Sequence, residues 1–225
     1  MTVASRIAGS DALTSTSGRA LTPKGTATRA RIVNATAELM LEQGSEATSM
    51  DDVQRRAGVS ASQLYHYFAG KQDLVRAVIA RQTDAVLAAQ RPVLDDVGSL
   101  AALRAWRDLL VDLQRQRHCQ GGCPIGSLAS ELAEHDLAAR QDLAASFDRW
   151  QAPIRRGLQT MSDRGDLSPA ADLDRLALAF LAALQGGLLL TQTYRTTAPL
   201  EAALDAMIDH LASLAPASAG ATRRA

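Results

Sequence analysis

Seven side chains that can form hydrogen bonds with a nucleic acid are concentrated between positions 60 and 71: Ser60, Ser62, Gln63, Tyr65, His66, Tyr67 and Lys71. Small hydroxyl and amide groups suit the edges of DNA bases, which carry donors and acceptors in the major groove. Tyrosine, histidine and lysine side chains can donate to phosphate oxygens, and a cation at the start of a helix joins backbone N–H groups that favour the same anion. The spacing therefore predicts base contacts followed by phosphate contacts.

Two short helices are needed to position these side chains. Ser49 is a good N-cap, and the carboxylates that follow it suit the positive end of a helix. That helix, over 51–57, ends at Gly58, and Ser60 caps a second helix that extends through His66. Two helices joined by a short turn with glycine can place the second helix in the major groove. The pattern therefore predicts a helix-turn-helix.

The segment from Arg31 to Ile79 resembles the N-terminal domain of the TetR family of bacterial repressors. The resemblance is carried by RIVNATAELMLEQG and by ATSMDDVQRRAGVSASQLYHYFAGKQDL, in which the pattern GVSxxxLYxYFxxKxxL is highly specific. The later stretch GCPIGSLASE resembles a subgroup of ligand-sensing TetR-type regulators. The chain departs from the family at Ser45, where an aromatic residue is common, which predicts slightly weaker packing under the helix-turn-helix.

The resemblance implies roles for matching residues. Gln63 and the residues around Ser62 would face base edges. A second set would position the phosphate backbone: Thr48, Tyr65, His66, Tyr67 and Lys71. The implied partner is double-stranded operator DNA.

Composition is consistent with a folded, soluble chain of one or two domains. Of its 225 residues, 47% are hydrophobic and 21% are charged, and the formal net charge is zero. Residues 1–81 carry ten basic and seven acidic side chains, whereas residues 82–225 carry fourteen and seventeen. Only the N-terminal part is therefore net positive, and this small excess is compatible with phosphate binding there.

The sequence contains no run of 18 apolar residues and no apolar core of a secretion signal near its start. We therefore expect a cytoplasmic protein that does not enter a membrane. We also expect no cofactor. Enzymatic function is disfavoured because the motifs GxSxG and HExxH and a glycine-rich phosphate loop do not occur.

Helical periodicity without period-2 alternation predicts an all-α fold. It has a three-helix DNA-binding head with the helix-turn-helix, and a larger helical domain for ligand binding and dimerisation. We assign 1–25 to a disordered arm, 26–70 to the head, 71–214 to the regulatory domain and 215–225 to a disordered tail. Three local details are expected: a loop over 118–126, a kink at Pro153, and a helix that begins at Ser168-Pro169.

Cys119 and Cys123 lie in the glycine-containing loop and leave alternatives open. A structural zinc needs four ligands, and no second Cys/His cluster exists, so no metal site is expected. The two thiols could form a redox-sensing pair, or they could be inert groups beside a pocket.

A pocket for a small apolar or aromatic effector is predicted between the Trp106 and Trp150 helices, beneath this loop. Aromatic side chains at helical spacing are core residues by default, but tryptophan N–H groups need partners and Pro153 frees a carbonyl. The candidate residues are Trp106, Leu110, Cys119, Cys123, Phe147, Trp150, Ile154, Phe180, Leu184 and Gln185.

The last two helices, over 169–194 and 199–214, are predicted to pair two copies of the chain. One short helix contacts too few bases for a typical specific affinity, and a two-fold dimer matches a palindromic operator. The candidate interface residues are Phe180, Gly186, Gly187, Leu190, Leu204 and Ile208. These patterns favour a homodimeric, ligand-responsive repressor over a helical interaction protein or an enzyme.

Overall fold

A computed structural model describes Thr16 and residues 20–216, and in this part of the chain it contains nine α-helices and no β-strand. The all-α fold class predicted from the sequence is confirmed. The helices are α1 Pro23–Gln43, α2 Met50–Ala57, α3 Ala61–Tyr67, α4 Lys71–Ala88, α5 Leu100–Gln116, α6 Pro124–Leu132, α7 Leu137–Asp163, α8 Leu173–Tyr194 and α9 Ala198–Ser213. A short 3-10 helix, Val93–Asp96, precedes α5.

The chain divides into two compact units, Met1–Arg81 and Gln82–Ala225. The division into a head over 26–70 and a regulatory domain over 71–214 remains a proposal. The predicted disordered arm and tail fall mostly outside the described residues.

The first unit is held together by apolar side chains that recur along one face of each helix. Ile32 and Leu39 of α1, Val53 of α2 and Leu64 of α3 are almost completely buried, as is Phe68 just after α3. Burial of apolar surface of this kind is the main favourable contribution to folding. Ser45, at which slightly weaker packing under the helix-turn-helix is predicted, is also buried.

In the second unit, α8 packs mainly against α9 and α7, and α5 packs against α9. Phe180 and Leu184 of α8 are completely buried, as are Leu200 and Leu204 of α9. These side chains form the core of the second unit.

Three helices begin at residues other than those expected. α1 begins at Pro23, inside the predicted arm, because the Thr22 hydroxyl accepts a hydrogen bond from the amide of Gly25. α6 begins at Pro124, inside the predicted loop. α8 begins at Leu173 because Asp172, and not Ser168, caps it. In each case a side chain satisfies a helix N–H that would otherwise lack an acceptor.

Pro153 does not interrupt α7, which continues from Leu137 to Asp163. Proline removes one backbone donor from the helix ladder. Pro153 and its neighbour Ile154 are buried, so packing around them maintains the helix at this point.

By length and hydropathy alone, α8 could cross a membrane. The core helix of a soluble protein passes the same test, and 39% of the apolar window of α8 is buried. The buried side of α8 contacts α7 and α9, so its apolar composition is explained on that side by packing.

Candidate nucleic-acid interface and ligand cavity

Reciprocal side-chain caps fix the start of both helices of the helix-turn-helix. Ser49 accepts from the amide of Asp52, whose carboxylate accepts from the amide of Ser49. Ser60 and Gln63 form the same capping box at the start of α3. Gly58, between the helices, has φ 61° and ψ 45°, a left-handed conformation that glycine adopts without strain. The residues that shape this turn are therefore local in sequence.

α3 presents a polar face and buries an apolar one. Leu64 is buried in the first unit. The exposed side chains are those of Ser60, Ser62, Gln63, Tyr65 and His66, whereas Tyr67 is half-buried. Five of the predicted DNA-contacting side chains are therefore accessible on α3 and its N-cap.

The side chain of Gln63 is already engaged in the capping box. Its Oε1 accepts from the amide of Ser60 at 2.9 Å, and Ser60 Oγ accepts from the amide of Gln63 at 3.2 Å. A bidentate contact with adenine uses both the oxygen and the nitrogen of a glutamine amide. While the cap is intact, only Nε2 of Gln63 is available to a base.

Among the predicted phosphate contacts, Thr48 is turned inward. Its side chain is buried and its hydroxyl donates to the carbonyl of Gly44 at 2.8 Å. Gly44 caps the C-terminal end of α1, where carbonyl groups have no N–H donor within the helix. The Thr48 hydroxyl supplies the missing donor. Lys71 Nζ donates to the carbonyl of Glu46 at 2.9 Å, so a phosphate contact would require this exposed bond to exchange.

Tyr65 and the end of α3 remain accessible. Tyr65 is 52% exposed, and the ring of His66 packs edge-on against that of Tyr67 at 4.9 Å between centroids. Thr16 donates its amide and its hydroxyl to the carbonyl of His66, at 3.1 and 3.0 Å. This contact satisfies a carbonyl at the C-terminal end of α3.

The sequence interpretation missed two exposed cations of the first unit as candidate phosphate contacts. Lys24 lies in the first turn of α1, whose Gly25 is close to the Tyr67 hydroxyl. Arg55, on α2, has a side chain that is 74% exposed and pairs with Asp52. The Thr22-Pro23 pair, an N-cap followed by proline, is the signal that could have placed Lys24 on a helix.

A cavity of about 300 Å³ lies in the second unit between α6, α7 and α8. Its polar lining comes from Cys123, Ser127, Ser130, Gln185 and Gln192. Its remaining lining comes from Gly126, Ala129, Phe147, Gly186 and Leu189. Three predicted pocket residues, Cys123, Phe147 and Gln185, therefore lie together on its wall.

Seven other predicted pocket residues do not line this cavity: Trp106, Leu110, Cys119, Trp150, Ile154, Phe180 and Leu184. All of them are buried in the core of the second unit. The two tryptophan N–H groups are satisfied by one buried acceptor, because Gln90 Oε1 lies 2.9 Å from Trp106 Nε1 and 3.1 Å from Trp150 Nε1. Neither indole N–H is left for a ligand, and periodicity could not identify Gln90 as their partner.

Both cysteines are free and buried. Cys123 caps α6, its sulfur accepting from the amide of Gly126 at 3.3 Å. Burial raises the pKa of the Cys123 thiol above its ordinary value, against the opposing effect of the N–H groups that face the sulfur. The protonated thiol is the less nucleophilic form. Among the described residues, no group of three or more acidic, histidine or cysteine side chains could hold a metal ion.

The two adjacent glycines of α8 have different surroundings. A Cβ at Gly187 would lie 2.9 Å from Leu200 Cα and 3.1 Å from Leu200 Cδ1, whereas a Cβ at Gly186 would meet nothing within 4 Å. Gly187 therefore permits close packing of α8 on α9 within one chain. Three other predicted interface residues are likewise buried inside the chain: Phe180, Leu204 and Ile208.

The outward side of α8 is apolar and exposed. We call this surface the α8 outer face; it consists of Leu178, Ala182, Gly186, Leu189, Leu190 and Tyr194. Leu178, Leu189 and Tyr194 are 57%, 62% and 65% exposed. Of the predicted interface residues, Gly186 and Leu190 belong to this face.

Two family models match the chain. The model for bacterial regulatory proteins of the tetR family matches residues 32–78. The model for the tetracyclin repressor-like C-terminal domain matches residues 99–207. The chain belongs to the TetR family of transcriptional regulators. The resemblance inferred from the helix-turn-helix motif is confirmed, and the first unit contains the DNA-binding domain of this family.

Relatives in the TetR family align over most of the chain. An uncharacterised HTH-type transcriptional regulator from the lacX 3' region of Lactococcus lactis is 29% identical over 79% of this chain and 90% of its own length. The HTH-type transcriptional repressor DhaR of Mycobacterium sp. strain GP1 is 25% identical over 83% of this chain and 93% of its own length. The similarity therefore extends beyond the DNA-binding domain.

Solved TetR-family structures have the same fold. A TetR transcriptional regulator from Chloroflexus aurantiacus has a TM-score of 0.70 and 26% identity, over 84% of this chain and 96% of that one. The regulatory protein TetR from Rhodobacter sphaeroides has a TM-score of 0.69 and 23% identity, over 81% and 98%. The helical arrangement is therefore that of TetR regulators.

Proposed function

We propose that this TetR-family regulator is a cytoplasmic, homodimeric repressor that leaves a palindromic operator when a small molecule binds its second unit. The observation that carries the proposal is the exposed polar face of α3, held by the capping box of Ser60 and Gln63. A short, capped helix with accessible hydroxyl, amide and aromatic groups suits the major groove. The relative DhaR is named a repressor, which supports this direction of control.

The DNA contacts divide between base edges and phosphates. Ser60, Ser62 and Gln63 face the bases, and Gln63 contributes Nε2 while its oxygen caps α3. The proposed phosphate contacts are Lys24, Arg55, Tyr65, His66, Tyr67 and Lys71. Thr48 is left out because its hydroxyl is buried.

A selection from random double-stranded DNA tests this function directly. The protein should enrich a palindrome whose half-sites lie about one helical turn, or a multiple of it, apart, because a two-fold dimer presents two copies of α3. Enrichment of no sequence above background would contradict sequence-specific binding.

Lys71→Ala is expected to weaken binding to the selected duplex and to an unrelated duplex alike. Loss of one phosphate contact should reduce the salt dependence of binding, log K against log salt, by about one unit. The measurement is fluorescence anisotropy over a salt series. Arg140→Ala removes an exposed charge from α7 and serves as the control. An unchanged slope for Lys71→Ala would remove this residue from the interface.

The α8 outer face is the proposed dimer interface. Exposed apolar patches that are continuous along one helix are typical of surfaces that bind another protein. A two-fold axis beside α8 pairs this face with itself in a second copy. Because α9 packs against α8 within each copy, the two helices of both copies are proposed to form a four-helix bundle.

Leu178→Arg is expected to convert the dimer to monomers at low micromolar concentration. A buried, unpaired charge at an interface should weaken association by about 3 kcal/mol, or roughly a hundredfold. Sedimentation velocity measures the effect. Leu137→Arg, at a leucine 60% exposed on α7 and outside the α8 outer face, should leave the dimer intact. If both variants behave alike, the interface lies elsewhere.

The ligand cavity adjoins this proposed interface, since Gly186 and Leu189 belong to both surfaces. A ligand that shifts α8 would therefore alter how two copies pair, and so the separation of their α3 helices. Release requires that the ligand bind the DNA-incompetent state more tightly. DNA must then weaken ligand binding by the same factor.

A thiol-based redox sensor is a less favoured alternative. A redox-sensing cysteine is typically accessible and has a lowered pKa. Cys119 and Cys123 are buried, and burial raises the pKa of Cys123. We therefore favour the ligand-responsive role and treat both thiols as structural.

A further inference from the structure

The cavity wall contains a polar group that has no hydrogen-bond partner among the residues that the structure describes. Gln185 lines the cavity, and its Nε2 is buried without a hydrogen bond. Its polar neighbour is the Cys123 thiol, a weak acceptor that does not satisfy it. Buried N–H groups without acceptors are rare in folded proteins because they lose their hydrogen bonds to water. A ligand in the cavity could supply the acceptor that Gln185 Nε2 lacks.

The carboxamide of Gln185 packs closely against Gly126 in the cavity wall. A Cβ at Gly126 would lie only 3.0 Å from Gln185 Oε1, so the absence of a side chain at 126 allows this close approach. The last torsion of a glutamine side chain is broad, so rotation about it can present Nε2 to the cavity that Gln185 lines. The donor is thus held near the wall and can turn toward a ligand.

Two of the other polar groups in the wall are already engaged in hydrogen bonds. Ser130 donates to the carbonyl of Gly126, and the sulfur of Cys123 accepts from the amide of Gly126. No side chain that lines the cavity carries a charge. An ionised ligand would therefore be desolvated without a counter-ion, which is unfavourable.

We propose that the cavity binds an uncharged small molecule whose carbonyl-type oxygen accepts a hydrogen bond from Gln185 Nε2. The apolar part of this molecule packs against Phe147 and Leu189. A volume of about 300 Å³ is at the lower end of ligand pockets, so the ligand is small. This inference rests on the proposed function, because it names the chemical class of the effector.

Three compounds of similar shape separate the effects of a hydrogen-bond acceptor and of a charge on binding affinity. Acetophenone carries a neutral carbonyl, ethylbenzene lacks the acceptor, and benzoate carries a charge. Isothermal titration of the full-length protein should give acetophenone an affinity roughly tenfold above that of ethylbenzene, as expected when a buried donor gains an acceptor. Benzoate should bind more weakly than acetophenone.

Gln185→Leu should abolish the preference for acetophenone over ethylbenzene and retain the fold, because it replaces an unsatisfied donor with an apolar group of similar size. Gln141→Leu, at an exposed glutamine of α7 outside the cavity, should retain the preference.

The proposal is overturned if wild-type protein binds none of the three compounds. It is also overturned if wild-type protein binds ethylbenzene or benzoate as tightly as acetophenone, or if Gln185→Leu keeps the preference. The wild-type comparison remains decisive even if a variant fails to fold. Operator selection uses no ligand, so a protein that selects a palindrome but does not prefer acetophenone overturns the ligand class and leaves the regulator proposal standing.

Discussion

Gly187→Ala is expected to destabilise the second unit, whereas Gly186→Ala is expected to stabilise it. A helical glycine costs about 1 kcal/mol relative to alanine, so both changes gain helix propensity. The new Cβ at 187 would lie 2.9 Å from a backbone atom of Leu200, while the new Cβ at 186 would meet nothing within 4 Å. Overpacking of a close contact costs about 1–3 kcal/mol.

Urea unfolding at one fixed protein concentration measures the difference between the two variants. We expect their free energies of unfolding to differ by about 1–3 kcal/mol, because the gain in propensity is common to both. A repeat at a second concentration separates any effect of Gly186 on the proposed dimer from its effect on the chain itself. Equal stabilities would contradict the assignment of Gly187 to the α8–α9 contact.

Gln90→Leu is expected to cause a larger loss of stability than either glycine variant. Its Oε1 accepts from Trp106 Nε1 and Trp150 Nε1, and its Nε2 donates to the carbonyl of Val86 at 3.0 Å. Leucine leaves both indole N–H groups buried without an acceptor. Each such group costs about 1–3 kcal/mol, so the expected loss is about 2–6 kcal/mol.

The free energy of unfolding and tryptophan emission should change together in this variant, since both indoles lose their partner. Gln141→Leu repeats the same chemical change at an exposed position and should shift stability by less than about 0.5 kcal/mol. A loss below about 1 kcal/mol for Gln90→Leu would indicate that the indoles find another acceptor in the folded protein.

The helix-turn-helix could be predicted because its determinants lie close together in sequence. Ser49 and Asp52 cap α2, Ser60 and Gln63 cap α3, and Gly58 makes the turn between them. Each cap joins residues three positions apart, so residue type and spacing are sufficient to predict where each helix begins. The same local arrangement carries the TetR resemblance, which the family models confirm.

Tertiary packing decided which predicted residues remain available. Thr48 matches the family motif, but its hydroxyl donates a hydrogen bond to the carbonyl of Gly44 inside the first unit. Gly186 and Gly187 are identical in type and adjacent in sequence, yet only Gly187 contacts α9. On a helix, neighbouring residues point about 100° apart, so the position of the packing partner separates them.

The sequence by itself determined the all-α class and the helix-turn-helix, because these depend on local caps, turns and helical periodicity. The motif within the helix-turn-helix also carried the resemblance to the TetR family. Only the tertiary structure decided the position of the cavity and the partner of the tryptophans. Gln90 lies 16 residues from Trp106 and 60 from Trp150, and Cys123 lies far along the chain from Gln185. Contacts over such separations depend on how helices pack, and periodicity reports only that a residue faces inward.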